Sequence, residues 1–163
     1  MPSGGVVDAL AQQRLADVVA RATRNVADGG GPFAATVVRG DDVVASGVNR
    51  VTRDHDPTAH AEVVAIRAAA RELGTHVLAG TTLVSSCEPC PLCLSAALWA
   101  RVDAVHYAAD RDDAAHGGFD DRAFYDLFDR PRDAWPVPVR QVRVDDATAP
   151  FDAWLAKGDR VEY

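Results

Sequence analysis

An α/β fold, a mixed β-sheet covered by helices on both faces, follows from three features of this 163-residue sequence. Apolar residues recur at helical spacing in several long stretches. Short β-branched runs bounded by glycine and proline lie between them. Their order is helix, hairpin, then alternating helix and strand, which suits a three-layer α-β-α arrangement. Five runs read as strands, so a central mixed five-stranded sheet is expected. No internal repeat, low-complexity tract or linker breaks the pattern, and a chain of this length is expected to form one domain over residues 1–163.

The first helix spans residues 6–27, with Leu10, Leu15, Val18, Val19, Ala22 and Val26 on its core face and Gly29-Gly30-Gly31 ending it. Residues 32–39 read as a strand that turns at Gly40-Asp41-Asp42 into a second over 43–48. Phe33, just after the glycines, is placed either to stack on a flat base or to join the core. Asn49 follows as a strand-ending residue, and 50–56 is a polar loop with His55 solvated. A helix over 60–73 carries Val63, Ile66, Ala70 and Leu73 on one side and stops at Gly74. After a third strand at 81–85, Pro91 suits the first position of a helix reaching Ala100, with Trp99 near its end. The fourth and fifth strands are read at 104–108 and 137–144. Between them, residues 110–132 are acidic and glycine-bearing and read as an irregular loop, a place where specificity is often set. Residues 150–155 suit a short helix burying Phe151, Trp154 and Leu155, which leaves a tail from Asp159 to Tyr163.

Chemistry concentrates in two stretches, His60-Ala61-Glu62 and Pro89-Cys90-Pro91-Leu92-Cys93. Together they spell H-x-E followed by P-C-x-x-C, a signature of zinc-dependent base deaminases. One imidazole and two thiolates suit a tetrahedral Zn²⁺, and three protein ligands leave a fourth position for water. On a helix, Cys90 and Cys93 converge to about 5–6 Å between Cβ atoms, so one ion can bridge them. Zinc lowers the pKa of its water to about 7. Glu62, not needed as a ligand, can take the water proton, pass it to a ring nitrogen and later protonate the departing amine. Cys87 adds a second reading, because Cys87, Cys90, Cys93 and His60 would also make a closed structural Cys₃His site.

Charge and composition narrow the partners. Seventeen basic against 24 acidic residues give a net charge of −7 with no basic run to track phosphates, which argues against a nucleic-acid partner. No stretch is apolar enough to span a membrane, and Met1-Pro2-Ser3-Gly4-Gly5 has no signal-peptide character. The three cysteines lie within one short stretch and offer no disulfide framework. A cytoplasmic protein acting on a small molecule is expected.

Pro57 to Glu62, Ser86 to Cys93, Trp99-Ala100-Arg101, Tyr107-Ala108-Ala109, Asp113-Ala114-Ala115, Gly117-Gly118-Phe119-Asp120-Asp121 and the terminal Glu162-Tyr163 resemble the bacterial guanine deaminases of the cytidine/deoxycytidylate deaminase family. The resemblance covers most of the chain. It implies the cytidine-deaminase-like fold, with zinc held between two helix N-termini by His60, Cys90 and Cys93, and hydrolysis of guanine to xanthine and ammonia. It further implies that Asn49 reads the base, that Ala61 and Trp99 belong to the pocket, and that the C-terminal segment, about 150–163, crosses to a partner in a domain-swapped homodimer whose pocket Tyr163 closes. Asp121 is the candidate acceptor for a base N–H, ahead of Asp120, although both could instead cap a helix near 122–128. Other readings stay open: deamination of cytosine or an amino-triazine, deamination of a transfer-RNA adenosine, or a non-catalytic zinc protein. Arg111-Asp112 and His116 lie where the pocket's specificity would be set.

Overall fold

The computed structural model describes residues 9–163, so residues 6–8 of the expected first helix and the Met1–Gly5 stretch lie outside it. The chain divides after Arg122 into two compact units.

The first unit holds α1 (Ala9–Ala27), β1 (Ala34–Arg39), β2 (Asp42–Val48), α2 (Val51–Asp54), α3 (Ala61–Leu73), β3 (Thr82–Cys87), α4 (Pro91–Trp99), β4 (Ala104–Ala109) and α5 (Arg111–His116). The sheet runs in the order β2-β1-β3-β4. β1 pairs antiparallel with β2 and β3, while β3 and β4, joined through α4, are parallel. The sheet is therefore mixed.

Both faces of β1 are buried, and its alternation sorts the layers. Ala35 and Val37 meet Ala61, Ala65 and Ala69 of α3 and Ala97 of α4, whereas Ala34 and Val38 join Val84 of β3 against Val18 and Ala22 of α1. Small residues let α3 lie very close to the hairpin. A Cβ at Gly47 would come within 2.5 Å of the Ala61 carbonyl oxygen and 2.6 Å of the Ala65 nitrogen, so β2 has no room for a side chain there. This tight seat fixes where α3 begins, and with it His60 and Glu62.

Val19 and Val26, expected on the core face of α1, are 42% and 52% exposed. The buried stripe is narrower, at Val18, Ala22 and Asn25, and a polar residue completes it. The expected polar loop over 50–56 contains α2, whose C-cap, the exposed His55, takes a left-handed φ of 52°. The loop read over 110–132 contains two helices, α5 and α6 (Arg122–Phe128). Asp110 explains the first: its carboxylate accepts from the N–H groups of Asp112 and Asp113, and Asp113 returns a bond to the Asp110 N–H, a reciprocal capping box.

The second unit follows from Ala123 and contains most of α6, a 3₁₀ turn (Arg132–Ala134) and α7 (Ala149–Ala156). The expected fifth strand is absent: residues 137–144 pair with no strand among the described residues, and the sheet has four. Pro138 removes a ladder donor from that stretch and Pro136 another just before it, and Val137, Val142 and Val144 are more than 60% exposed. α7 forms where expected. Its apolar residues are not buried as expected, since Phe151 and Leu155 stand 67% and 65% exposed. In this unit Phe128 meets Trp135 and Trp154 meets Tyr163, edge-on contacts at 5.4 and 6.2 Å.

Candidate active site

His60 and Cys90 occupy the N-cap positions of α3 and α4, both in extended conformation, and neither side chain caps its own helix. They turn toward each other instead. His60 Nδ1 lies 3.5 Å from Cys90 Sγ and 3.4 Å from Cys93 Sγ, and the two sulfurs are 3.6 Å apart. Zinc bonds of about 2.3 Å to sulfur and about 2.0–2.1 Å to nitrogen give a tetrahedron whose edges are about 3.6–3.8 Å. The triangle of donors in this chain fits that edge length without rearrangement. Cys87 stands outside the group, its thiol directed at the Asp110 carbonyl at 3.6 Å, and burial pushes its pKa up to about 11. The closed Cys₃His arrangement is thus not the one the fold assembles.

The positive ends of α3 and α4 both face the cluster and favour anionic sulfur. Contact with the Cys93 thiol draws Cys90 down to about 4, and the same contact pushes Cys93 up. His60 is raised, chiefly by its contact with Cys90. One thiolate, at Cys90, is thus favoured within a cluster whose donors all face one point.

Glu62, in the first turn of α3, is 5% exposed. Ser85 Oγ of β3 donates to its Oε1 at 3.1 Å, and its Oε2 lies 3.4 Å from Cys93 Sγ. Burial raises its pKa, which suits a group that must both take and return a proton.

A cavity of about 570 Å³ opens beside these groups. Phe33, Asn49, His60, Glu62, Cys90 and Asp121 all line it. Phe33 meets Phe119 edge to face at 5.0 Å, so it serves the cavity wall and the core together. Asn49 Oδ1 accepts from the Val51 N–H at 3.3 Å. Asp121 is partly buried, its Oδ1 has no hydrogen-bond partner among the described residues, and desolvation raises its pKa. Asp120 also reaches the cavity but is forked by Arg122, which holds its carboxyl down at about 2. Of the two aspartates, Asp121 is the one with an acceptor to spare.

Among the sequence candidates of the first unit, Trp99 and the Ala61 side chain fall elsewhere. Trp99 is 66% exposed and lines a separate shallow hollow with Ser95, Leu98 and Arg101. The buried side of α4 belongs to Cys93 and Ala97, one turn apart, which turns Trp99 outward. The Ala61 methyl is wholly buried in the core, and its backbone N–H is among the first-turn donors that have no partner within the helix. Tyr163 belongs to the second unit.

Glu88 and Phe119, which are not among the site residues read from the sequence, also line the cavity. Arg111 grips Glu88 through its guanidinium and also donates its backbone N–H at 3.1 Å, keeping the carboxyl below its usual range. The signal in the sequence was the Glu between Cys87 and Pro89, inside the zinc stretch itself.

Residues 10–109 match the family model of the cytidine and deoxycytidylate deaminase zinc-binding region. The chain belongs to that family. It is accordingly a zinc-dependent hydrolytic deaminase, with the family's α/β fold. The deaminase is 47% identical over 134 residues to the guanine deaminase of Bacillus subtilis, covering 82% of this chain and 86% of that one. The crystal structure of a Bacillus subtilis guanine deaminase superposes with a TM-score of 0.90 at 44% identity, over 93% of this chain and 98% of that chain. The tRNA-specific adenosine deaminase of Aquifex aeolicus is 35% identical over 100 residues, 61% of this deaminase and 64% of that protein. No helix among the described residues is long and apolar enough to cross a membrane.

Proposed function

We propose that this deaminase hydrolyses guanine to xanthine and ammonia. The observation that carries the reading is one cavity lined by a buried Glu62, by His60 and Cys90 of the His60–Cys90–Cys93 metal triangle, and by Asp121, whose buried Oδ1 has no partner among the described residues. The likeness to guanine deaminases over more than four-fifths of the chain supports the choice of base.

His60, Cys90 and Cys93 would hold the zinc ion. The chemistry such an ion supplies when bound is activation of water for attack on an amidine-like carbon. Everything else falls to the chain. Phe33, backed by Phe119, offers a flat apolar wall to the purine ring. Asn49, whose Oδ1 is anchored to Val51, keeps its amide N–H groups for ring acceptors. Asp121 accepts a base N–H. Guanine carries N–H donors at N1 and at the exocyclic amine, and such a donor satisfies an otherwise orphaned oxygen.

Glu62 moves the protons. Its carboxylate takes one from the attacking water and delivers it to N3 of the base as the new C2–O bond forms. It then takes the remaining proton from the new C2 hydroxyl and gives it to the amine as the C2–N bond breaks and the C2 carbonyl forms, leaving xanthine and ammonia. Ser85 holds the carboxylate in place throughout.

Homodimerisation belongs to the same reading. α4 is apolar all round, and Leu92, Leu94, Leu98 and Trp99 stand 38–71% exposed on it. In the second unit Phe151, Leu155, Val161 and Tyr163 are 65–72% exposed. A partner subunit that receives residues 150–163, with Tyr163 over its pocket, would cover such surfaces. The acidic balance and the small cavity favour a free base in the cytoplasm over a nucleic acid. Incubating the pure protein with guanine, adenine, cytosine, amino-triazines and an adenosine-34 stem-loop, and measuring ammonia, tests the reading. Guanine should be turned over fastest, and a stronger response to any other member would displace it.

A further inference from the structure

Asn25, on the last turn of α1, is a polar side chain only 3% exposed that does not itself line the cavity. Its amide nitrogen donates twice, to the Gly31 carbonyl at 2.8 Å and to the Asn49 carbonyl at 2.9 Å. Both partners are acceptors, which fixes the amide orientation. Each of those carbonyls belongs to the pocket's framework. Gly31 also accepts the Phe33 N–H at 2.8 Å, and the Asn49 N–H donates to the Phe33 carbonyl at 3.0 Å. One buried amide therefore clamps the two backbone segments that present Phe33 and Asn49.

The glycines beside it are shaped to this clamp. Gly30 and Gly31 do not adopt positive φ, unlike Gly29, so conformational freedom does not account for them. Space does. A Cβ on Gly30 would fall 2.3 Å from Asn25 Nδ2, and a Cβ on Gly31 would fall 3.0 Å from Asn49 Cγ and Oδ1. The Gly30 N–H closes the knot by donating to the Asn25 carbonyl at 2.8 Å.

We infer that Asn25 is a positioning residue for base recognition: it holds Asn49 and Phe33 at their working separation and so governs substrate binding rather than the proton transfers at Glu62. This rests on the reading of Asn49 as a base contact. Uniform loss of binding raises KM and leaves kcat nearly unchanged, whereas damage to the reacting centre lowers kcat.

The test is a kinetic cycle on the zinc-loaded protein with guanine, using Asn25→Ala, Asn49→Ala and the double variant, with zinc content and melting temperature followed in each. Asn25→Ala should raise KM about tenfold with kcat within about threefold and zinc retained. In the Asn49→Ala background the same change should add less than about twofold, because the residue it acts through is gone. Gly30→Ala, which displaces the Asn25 amide while leaving every other side chain present, should reproduce the KM effect and covers the case in which Asn25→Ala does not fold. A full tenfold effect persisting in the Asn49→Ala background, or a fall in kcat at constant KM, would overturn the role of Asn25. An unchanged KM in Asn49→Ala alone would instead overturn the base-contact reading.

Discussion

Ser85 Oγ and Glu62 Oε1 lie 3.1 Å apart, both side chains buried, and the bond joins the third strand of the sheet to the first turn of α3. Glu62 is therefore aimed by two elements at once. Ser85→Ala removes a donor that favours the charged carboxylate, so the Glu62 pKa should move further up. We expect kcat to fall about tenfold with zinc content unchanged, a loss in keeping with one hydrogen bond to a charged group. An unaltered kcat would mean that the bond does not orient the proton carrier.

The metal triangle makes a sharper demand. Cys90→Ala leaves one imidazole and one thiolate, too few donors for a tight tetrahedral site. Metal analysis of the purified variant should find zinc well below one equivalent, with activity lost in proportion. Full occupancy would show that the ion is held elsewhere.

Much of this site was legible from residue types and spacing, because zinc ligation demands particular side chains at particular intervals. H-x-E and P-C-x-x-C placed His60, Glu62, Cys90 and Cys93, and Pro91 placed the start of α4. The rest depended on tertiary packing. Asn25 reads as an ordinary polar residue in α1 until the chain returns to bring Asn49 beside it. Trp99 looks like a wall of the pocket until the turn occupied by Cys93 and Ala97 directs it outward. The valine-rich stretch from 137 to 144 reads as a strand, but Val137, Val139, Val142 and Val144 do not keep one face, Pro136 and Pro138 weigh against pairing, and no ladder forms among the described residues. The α5 signal lies in the sequence itself: Asp110 followed three residues later by Asp113 is a capping pair.

In the proposed reading, Asp121 carries the choice of base. Its unpartnered Oδ1 is costly unless a ligand N–H meets it. Asp121→Asn should lower kcat/KM for guanine about 10- to 100-fold while changing turnover of slower bases much less. Equal losses on every base would remove Asp121 from recognition.

The tail gives an independent handle on assembly and closure. Deleting Asp159 to Tyr163 spares every candidate zinc ligand and the whole first unit. The shortened protein should keep its fold and zinc, as judged by circular dichroism and metal analysis, while KM for guanine rises about tenfold through loss of an aromatic contact over the base. Unchanged steady-state kinetics would exclude a lid formed by Tyr163.

The most direct test of the central claim is formation of xanthine from guanine by the zinc-loaded protein, followed beside Glu62→Gln under identical conditions. The parent should produce xanthine and ammonia in equal amounts, and the variant should keep its zinc yet lose about 10²- to 10⁴-fold in kcat, the usual contribution of a general acid–base group. A parent that makes no xanthine, or a Glu62→Gln variant within threefold of it, would contradict the account.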